Sequence, residues 1–490
     1  MPPHASCQSI KLISIPNSQY VPNPPSTDPP RSALDSQPAS ASDMMSKRAL
    51  KEDEATVPKK RSKLTTANND DDDDDDGEPY INQYAGWTVP TKDYNLPTIN
   101  TADVTPESFY NDYIKQRRPV VLSGVIPDDL SNIERWKDLN YLEEKVGDHQ
   151  SIMVEKRSST NDSFGKGNEI RMSFKKFIRL IKEGDDKHYL TTQDVLANSD
   201  GRPDLMSPMM KALHTDFPLR PSLVGNLVPQ NINMWMGNSK NGASSGLHHD
   251  YHDNLYIVLK GRKKFRLYSP KDTAKLYTRG ELLKVHANGR INYVGEETTA
   301  YGADLRSDAA ALAARQKEEA EKMLEDAERA VEVGKVGAEE QLERAEEELE
   351  RAMDAVLDVE MGDDDEDDGD GGETSVYEEY GDERRVVDKT VKNPNNFSKV
   401  DVNFLEDEEK LKEHYPDVLD ANAAFCNVEA GSILYLPASW FHEVTSYGTA
   451  DGHLALNYWF HPPDGNDSDA PYSTDFWPND YRDRFDDERE

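Results

Sequence analysis

His248 and Asp250 stand two residues apart in the stretch Gly246-Leu247-His248-His249-Asp250-Tyr251-His252-Asp253-Asn254. Side chains two apart on a β-strand point to the same side, so one imidazole nitrogen and one carboxylate can converge on a single ion. A second histidine arriving from another strand turns the pair into two His and one carboxylate. That facial arrangement leaves coordination positions open and suits non-haem Fe(II) oxygen chemistry. His442 is such a histidine. His249 and His252, in the same stretch, read as strand-face or surface residues and not as ligands.

Strands must position these groups. Residues 255–259 are apolar, residues 263–268 read as a second strand, and Lys260-Gly261-Arg262 lies between them. A hairpin with glycine at its turn is the simplest account. Upstream, Asn231 to Gly237 alternates with period two and reads as a strand leading into the His248 stretch. Downstream, a strand reaches Leu436, Pro437 ends it, and a turn re-aims the chain so that His442 starts the next strand. Residues 453–460 form a further strand candidate, with Leu454, Leu456 and Tyr458 alternating against Ala455, Asn457 and Trp459. Helical signals come earlier. Thr105-Pro106 reads as an N-cap followed by proline at the first helical position. Phe174, Phe177, Ile178 and Ile181 make one apolar face.

Composition separates this region from the rest. The 490 residues carry a net charge of −37, with 31% charged and 36% hydrophobic residues, too polar for a wholly compact chain. The acid sits in runs such as 70–76 and 363–368. An acidic chain is a poor default binder of nucleic acid, because phosphate contacts need Lys and Arg. Two cysteines, Cys7 and Cys426, give neither a disulfide framework nor zinc-ligand spacing and favour a reducing compartment. The chain has no run of about 18 apolar residues, so no membrane span is expected.

Residues 1–83 read as a disordered tail. In it Lys47-Arg48 and Lys59-Lys60-Arg61-Ser62-Lys63 resemble a bipartite nuclear localisation signal. The expectation is import-receptor binding through residues 47–63 and a nuclear or cytoplasmic location. Met44 and Met45 are alternative start positions. Residues 84–303 and 389–467 read as two parts of one β domain. An insertion over 304–388 separates them, in which Met323, Ala327, Ala330, Ala338, Leu342, Ala345, Leu349, Ala352 and Val356 recur at helical spacing. Gly334 and Gly337 break the stripe, giving a helical hairpin followed by the second acidic run. Residues 468–490 read as a polar tail in which Phe476 and Trp477 are candidates for packing.

Two motif sets resemble those of the cupin-type Jumonji C (JmjC) oxygenases. The first is Leu247-His248-His249-Asp250 with Asn254-Leu255-Tyr256, Gly261-Arg262-Lys263 and Leu267-Tyr268-Ser269-Pro270. The second is Gly431, Tyr435-Leu436-Pro437, Trp440-Phe441-His442 and Asn457-Tyr458-Trp459. Within the family the chain is most similar to the small stand-alone hydroxylases. The resemblance covers residues 84–303 and 389–465. It implies a mainly β fold, a double-stranded β-helix (cupin or jelly roll) with flanking helices. It implies Fe(II) held by His248, Asp250 and His442, with 2-oxoglutarate as cosubstrate and O2 as oxidant. Lys263 matches the lysine that pairs with the distal carboxylate of 2-oxoglutarate, and Ser245 a hydroxyl that donates to it. Asn254 and Asn457 match amides lining the pocket, and Trp459 an aromatic packed beside them. Tyr189 is loosely matched to an upstream cosubstrate-binding tyrosine. The implied reaction is hydroxylation, with a protein as first-choice substrate. Lysine demethylation of histones, tRNA-base hydroxylation and a non-catalytic binding role are the alternatives.

Overall fold

The computed structural model describes residues 80–157, 159, 169–197, 201–361, 378–380, 383–385 and 394–485. The basic clusters at 47–63 and the acidic runs at 70–76 and 363–368 lie outside the described residues. Fourteen strands build two sheets: β1 (Tyr94–Asn95), β2 (Thr98–Asn100), β3 (Val120–Ser123), β4 (Ser151–Lys156), β5 (Glu169–Ser173), β6 (His188–Leu190), β7 (Pro229–Gly237), β8 (Ala243–Ser244), β9 (Asp253–Lys260), β10 (Arg262–Tyr268), β11 (Ala423–Glu429), β12 (Ile433–Leu436), β13 (Phe441–Tyr447) and β14 (His453–Phe460). The larger sheet runs β2-β3-β12-β9-β14-β7-β6-β4-β5 and the smaller β1-β11-β10-β13-β8.

Period two divides the larger sheet into an outer and an inner face. Ile232, Met234 and Met236 of β7, Leu255, Ile257 and Leu259 of β9, and Leu454, Leu456 and Tyr458 of β14 are buried with the flanking helices. Those helices include α1 (Pro106–Phe109), α2 (Leu139–Val146) and α3 (Phe174–Lys182). Thr105 caps α1 through a reciprocal bond with Ser108, and Pro106 follows it. The apolar face of α3 is buried as its spacing predicts. The alternate residues face the smaller sheet. Tyr256, Val258 and Ala455 meet Phe265, Leu267, Ala424, Cys426 and Val428 in a second apolar cluster.

The expected hairpin at Gly261 does not form. β9 pairs with β12 and β14, whereas β10 pairs with β11 and β13. The two strands are consecutive, but the chain crosses from one sheet to the other between them. Gly261 makes the crossing with φ +73, and a Cβ there would stand 2.4 Å from the Tyr447 carbonyl oxygen. Nothing in the local sequence separates a hairpin glycine from a corner glycine, because pairing is decided by partners distant in the chain.

The insertion is helical as its spacing predicts: α4 (Leu305–Glu332) and α5 (Ala338–Met361) pack together. Their buried residues are Ala313, Ala320 and Ala327 facing Ala338, Ala345 and Ala352. The chain then re-enters the core at residues 394–398. The 468–490 segment, expected as a polar tail, contributes α6 (Phe476–Phe485). Trp477 of α6 stacks on His461 at 3.4 Å and donates to the Tyr301 carbonyl. Among the described residues no helix is long and apolar enough to cross a membrane.

Candidate metal centre and its pocket

His248 lies on an irregular segment between β8 and β9, so the strand expected to carry His248 and Asp250 is absent. Backbone pairing positions the residues instead. The His248 N–H donates to the His442 carbonyl at 3.1 Å, and the His442 N–H returns the bond at 2.7 Å. The two imidazoles therefore face each other, with ring centroids 4.3 Å apart. Asp250 is held by the Ser439 N–H, which donates to its backbone carbonyl at 2.7 Å. His442 Nε2 lies 3.7 Å from Asp250 Oδ2. One donor atom from each of the three residues falls within 4.8 Å of the others. Donors of a facial set bound to one ion at about 2.1 Å sit about 3 Å apart, so the three side chains would draw together on binding a metal.

The outward nitrogens are chosen by what holds the inward ones. His248 Nδ1 lies 3.1 Å from the Gly246 carbonyl and His442 Nδ1 2.9 Å from the Trp440 carbonyl. A ring N–H donated to a carbonyl leaves the Nε2 lone pair free for a metal. The His248 imidazole is held down to about 4, by desolvation first and by neighbouring His442 second. It is therefore neutral near pH 7, the form that ligates.

One network ties both ligand turns together. Asp253 accepts from Arg117 Nη1 at 2.9 Å, from Tyr435 Oη at 2.6 Å and from the Ala438 N–H at 2.9 Å. Arg117 Nη2 makes a further bond to the same carboxylate. The ion pair is almost fully buried. Asp253 follows the Asp250 turn and Ala438 precedes His442, so this carboxylate locks one turn against the other.

A cavity of about 270 Å³ opens beside the triad. Its far end is Lys263, which pairs in register with Ser446 while Leu267 pairs with His442. Roughly 13 Å of strand thus separates the metal end from the lysine end. Lys263 is 1% exposed. Its Nζ donates to Ser446 Oγ at 2.7 Å and to Tyr189 Oη at 3.2 Å, and it sits near the Tyr189 and Tyr256 rings. Among the described residues no carboxylate pairs with it, and burial alone pushes its ammonium down to about 7. A buried amine beside two hydroxyls and open space can receive an anion, whose charge would hold it protonated.

The remaining site residues fall as follows. Ser245 lines the cavity, but its hydroxyl donates to the Gly246 carbonyl and accepts from the Val444 N–H; the hydroxyl on the lysine is that of Ser446. Asn254 lines the cavity and accepts from Asn457 Nδ2 at 3.3 Å, while Asn457 Oδ1 accepts from Trp235 Nε1 at 2.6 Å. Trp459 lines the cavity edge-on to Trp235. His249, expected on a strand face or at the surface, is fully buried. It lies 2.8 Å from the Tyr293 hydroxyl and packs on Phe441, so it belongs to a core cluster. His252 faces His461.

Sequence reasoning missed Phe397, whose ring stacks on His248 at 4.8 Å and 12°. It also missed Ser446 and the Arg117–Asp253 pair. Ser446 was within reach: from His442 a count in steps of two gives Val444 and Ser446 on the same strand face, and both line the cavity. Phe397 carries no such signal, because the insertion hides its return to the core.

Two facing sheets flanked by helices, with two histidines and an aspartate placed to hold a metal at one end, define a cupin-like domain with a candidate metal centre. Residues 106–466 match the family model described as a cupin-like domain. The chain is 37% identical to the JmjC domain-containing protein 4 of Schizosaccharomyces pombe, over 80% of this chain and 90% of that protein. It is 25% identical to the human bifunctional peptidase and (3S)-lysyl hydroxylase JMJD7, over 34% of this chain and 52% of that one. It is 24% identical to the lysine-specific demethylase JMJ32 of Arabidopsis thaliana, over 35% and 51%. The chain belongs to the cupin-like JmjC domain family, which includes hydroxylases and demethylases.

Proposed function

We propose that this chain is an Fe(II)- and 2-oxoglutarate-dependent oxygenase that hydroxylates a protein side chain. The observation that carries it is Lys263, a buried ammonium without a carboxylate partner among the described residues, across one cavity from the His248–Asp250–His442 set. That pairing suits a ligand with a carboxylate at one end and metal-chelating oxygens at the other. Fe(II) bound there would couple conversion of 2-oxoglutarate and O2 to succinate and CO2 with insertion of one oxygen atom into a substrate C–H bond.

The protein's part is positional. Lys263 neutralises the distal carboxylate, with Ser446 and Tyr189 fixing its ammonium. The carbonyls of Gly246 and Trp440 hold both imidazoles with Nε2 forward. Phe265, Val444, Trp235 and Trp459 give the cavity apolar walls that limit water. Protein hydroxylation is preferred because one partial relative is named as a (3S)-lysyl hydroxylase, and because the net charge of −37 disfavours a tRNA substrate. Residues 47–63 would serve a nuclear import receptor.

The test is succinate formation by the purified protein with Fe(II), ascorbate, O2 and 2-oxoglutarate, with His248→Ala as control. Succinate that rises on adding a nuclear protein pool, but not a tRNA pool, and vanishes in the variant supports the reading. Absence of both iron and 2-oxoglutarate binding by calorimetry refutes it.

A further inference from the structure

We propose that the outer groove of the α4–α5 hairpin docks a basic amphipathic helix of a partner protein. This does not rest on the oxygenase reading. Of the twelve large apolar side chains exposed among the described residues, nine lie within residues 305–361. The cause is the alanine seam. Alanines at seven-residue spacing on both helices let the backbones approach closely, and the larger side chains are left outside the contact.

On α5 this produces a ledge. Leu349, Met353 and Leu357 recur every four residues and line a groove of about 340 Å³ with Leu324 of α4. Glu346, Glu350 and Asp354 line the same groove, each three positions before an apolar residue and so directly beside it on the helix surface. Among the described residues none of these three carboxylates takes part in an ion pair, whereas the arginines of α5 are already engaged by Glu340 and Glu348. The hairpin holds 18 acidic and 8 basic residues. An apolar stripe beside a row of free carboxylates complements a helix with leucines at i, i+3, i+4 and i+7 and lysines or arginines along its flank.

After the insertion the chain re-enters at residues 394–398, where the His249 N–H donates to the Asn396 carbonyl and the Ser398 N–H to the Leu247 carbonyl. Asn396 and Phe397 line the metal-site cavity. The hairpin therefore precedes the cavity-wall segment in the chain, and most of residues 362–393 between them lie outside the described residues.

The test uses the full chain and a synthetic helical peptide of about twenty residues with that leucine pattern and lysine flanks. Controls carry the leucines scrambled or the lysines replaced by glutamate. Fluorescence anisotropy is expected to show binding at least tenfold tighter than for either control. A Glu346→Lys/Glu350→Lys variant with unchanged helical circular dichroism is expected to lose at least tenfold, as is Met353→Asp. Equal binding of the scrambled peptide, or no loss in the variants, overturns the proposal. A concentration-dependent dimer in sedimentation velocity that Met353→Asp dissolves also overturns it, by making the occupant a second copy. So does a chain lacking residues 44–66 that binds the peptide tenfold tighter than the intact chain, since the occupant is then its own basic segment.

Discussion

An ammonium buried among tyrosine rings destabilises the protein until an anion arrives. Replacing Lys263 with methionine keeps the volume and removes the charge. The Lys263→Met protein is therefore expected to unfold at an equal or higher urea concentration than the parent, while 2-oxoglutarate binding weakens by more than about tenfold, since truncating one partner of a buried charged contact costs about 2–5 kcal/mol. Calorimetry and urea titration read the two effects, and a variant that binds normally would remove Lys263 from the site. The pH dependence follows with its sign. The folded value of about 7 lies below the unfolded value of roughly 10.4. Between them the unfolded state holds the proton and the folded state does not, so stability rises with pH through that window and the penalty is complete only below 7. The urea midpoint gap between Lys263→Met and parent is expected to narrow from pH 7 to pH 9. A constant gap would contradict the assignment. At this scale the triad and Lys263 were legible, because each sits in a motif with its own spacing. Phe397 was not, because the contact that matters joins residues on either side of the insertion.

Among elements, the turn carrying Asp250 and the turn that leads into the His442 strand are joined through one carboxylate. Asp253 joins Arg117, Tyr435 and the Ala438 amide, and its conversion to asparagine leaves the Arg117 guanidinium buried without its counter-charge. Breaking one half of such a pair costs about 3–5 kcal/mol, so the Asp253→Asn midpoint in guanidinium should fall accordingly. Metal affinity should fall about 10–100-fold, the usual range for groups that orient ligands; Co(II) titration followed by absorbance measures it. Unchanged metal affinity would mean that the turns hold themselves. The strands were readable from period two, and their ends were close to the sequence expectation. Their pairing was not, as Gly261 shows: a glycine between two strands serves a hairpin or a sheet crossing equally well. Asp253 was hidden differently. It stands beside the metal-ligand motif, and its partner Arg117 lies 136 positions away.

For the whole molecule, the acidic insertion packs mainly on itself. Its buried residues are alanines of α4 and α5 facing each other, and α4 touches the core through Tyr301–Asp308 and Arg315–Asp475. Composition made the arm legible as foreign to the β domain, and helical spacing gave both helices. Spacing did not say which residues form the seam: Met323 was read into the stripe, yet it is half exposed, because a close contact admits alanine and expels methionine. Deleting residues 306–361 leaves about 30 residues between Leu305 and Pro394, which span well over the width of the domain when extended. The shortened chain is expected to melt within about 4 °C of the parent, the shift that a loss of about 1 kcal/mol produces in a domain of this size. Succinate formation without added substrate should stay within about twofold, since no triad residue and no contact of Lys263 lies in the removed segment. Binding of the leucine-patterned basic peptide should disappear. Loss of iron and 2-oxoglutarate binding in the shortened protein would show instead that the hairpin braces Phe397 against His248, making the arm part of the site's architecture.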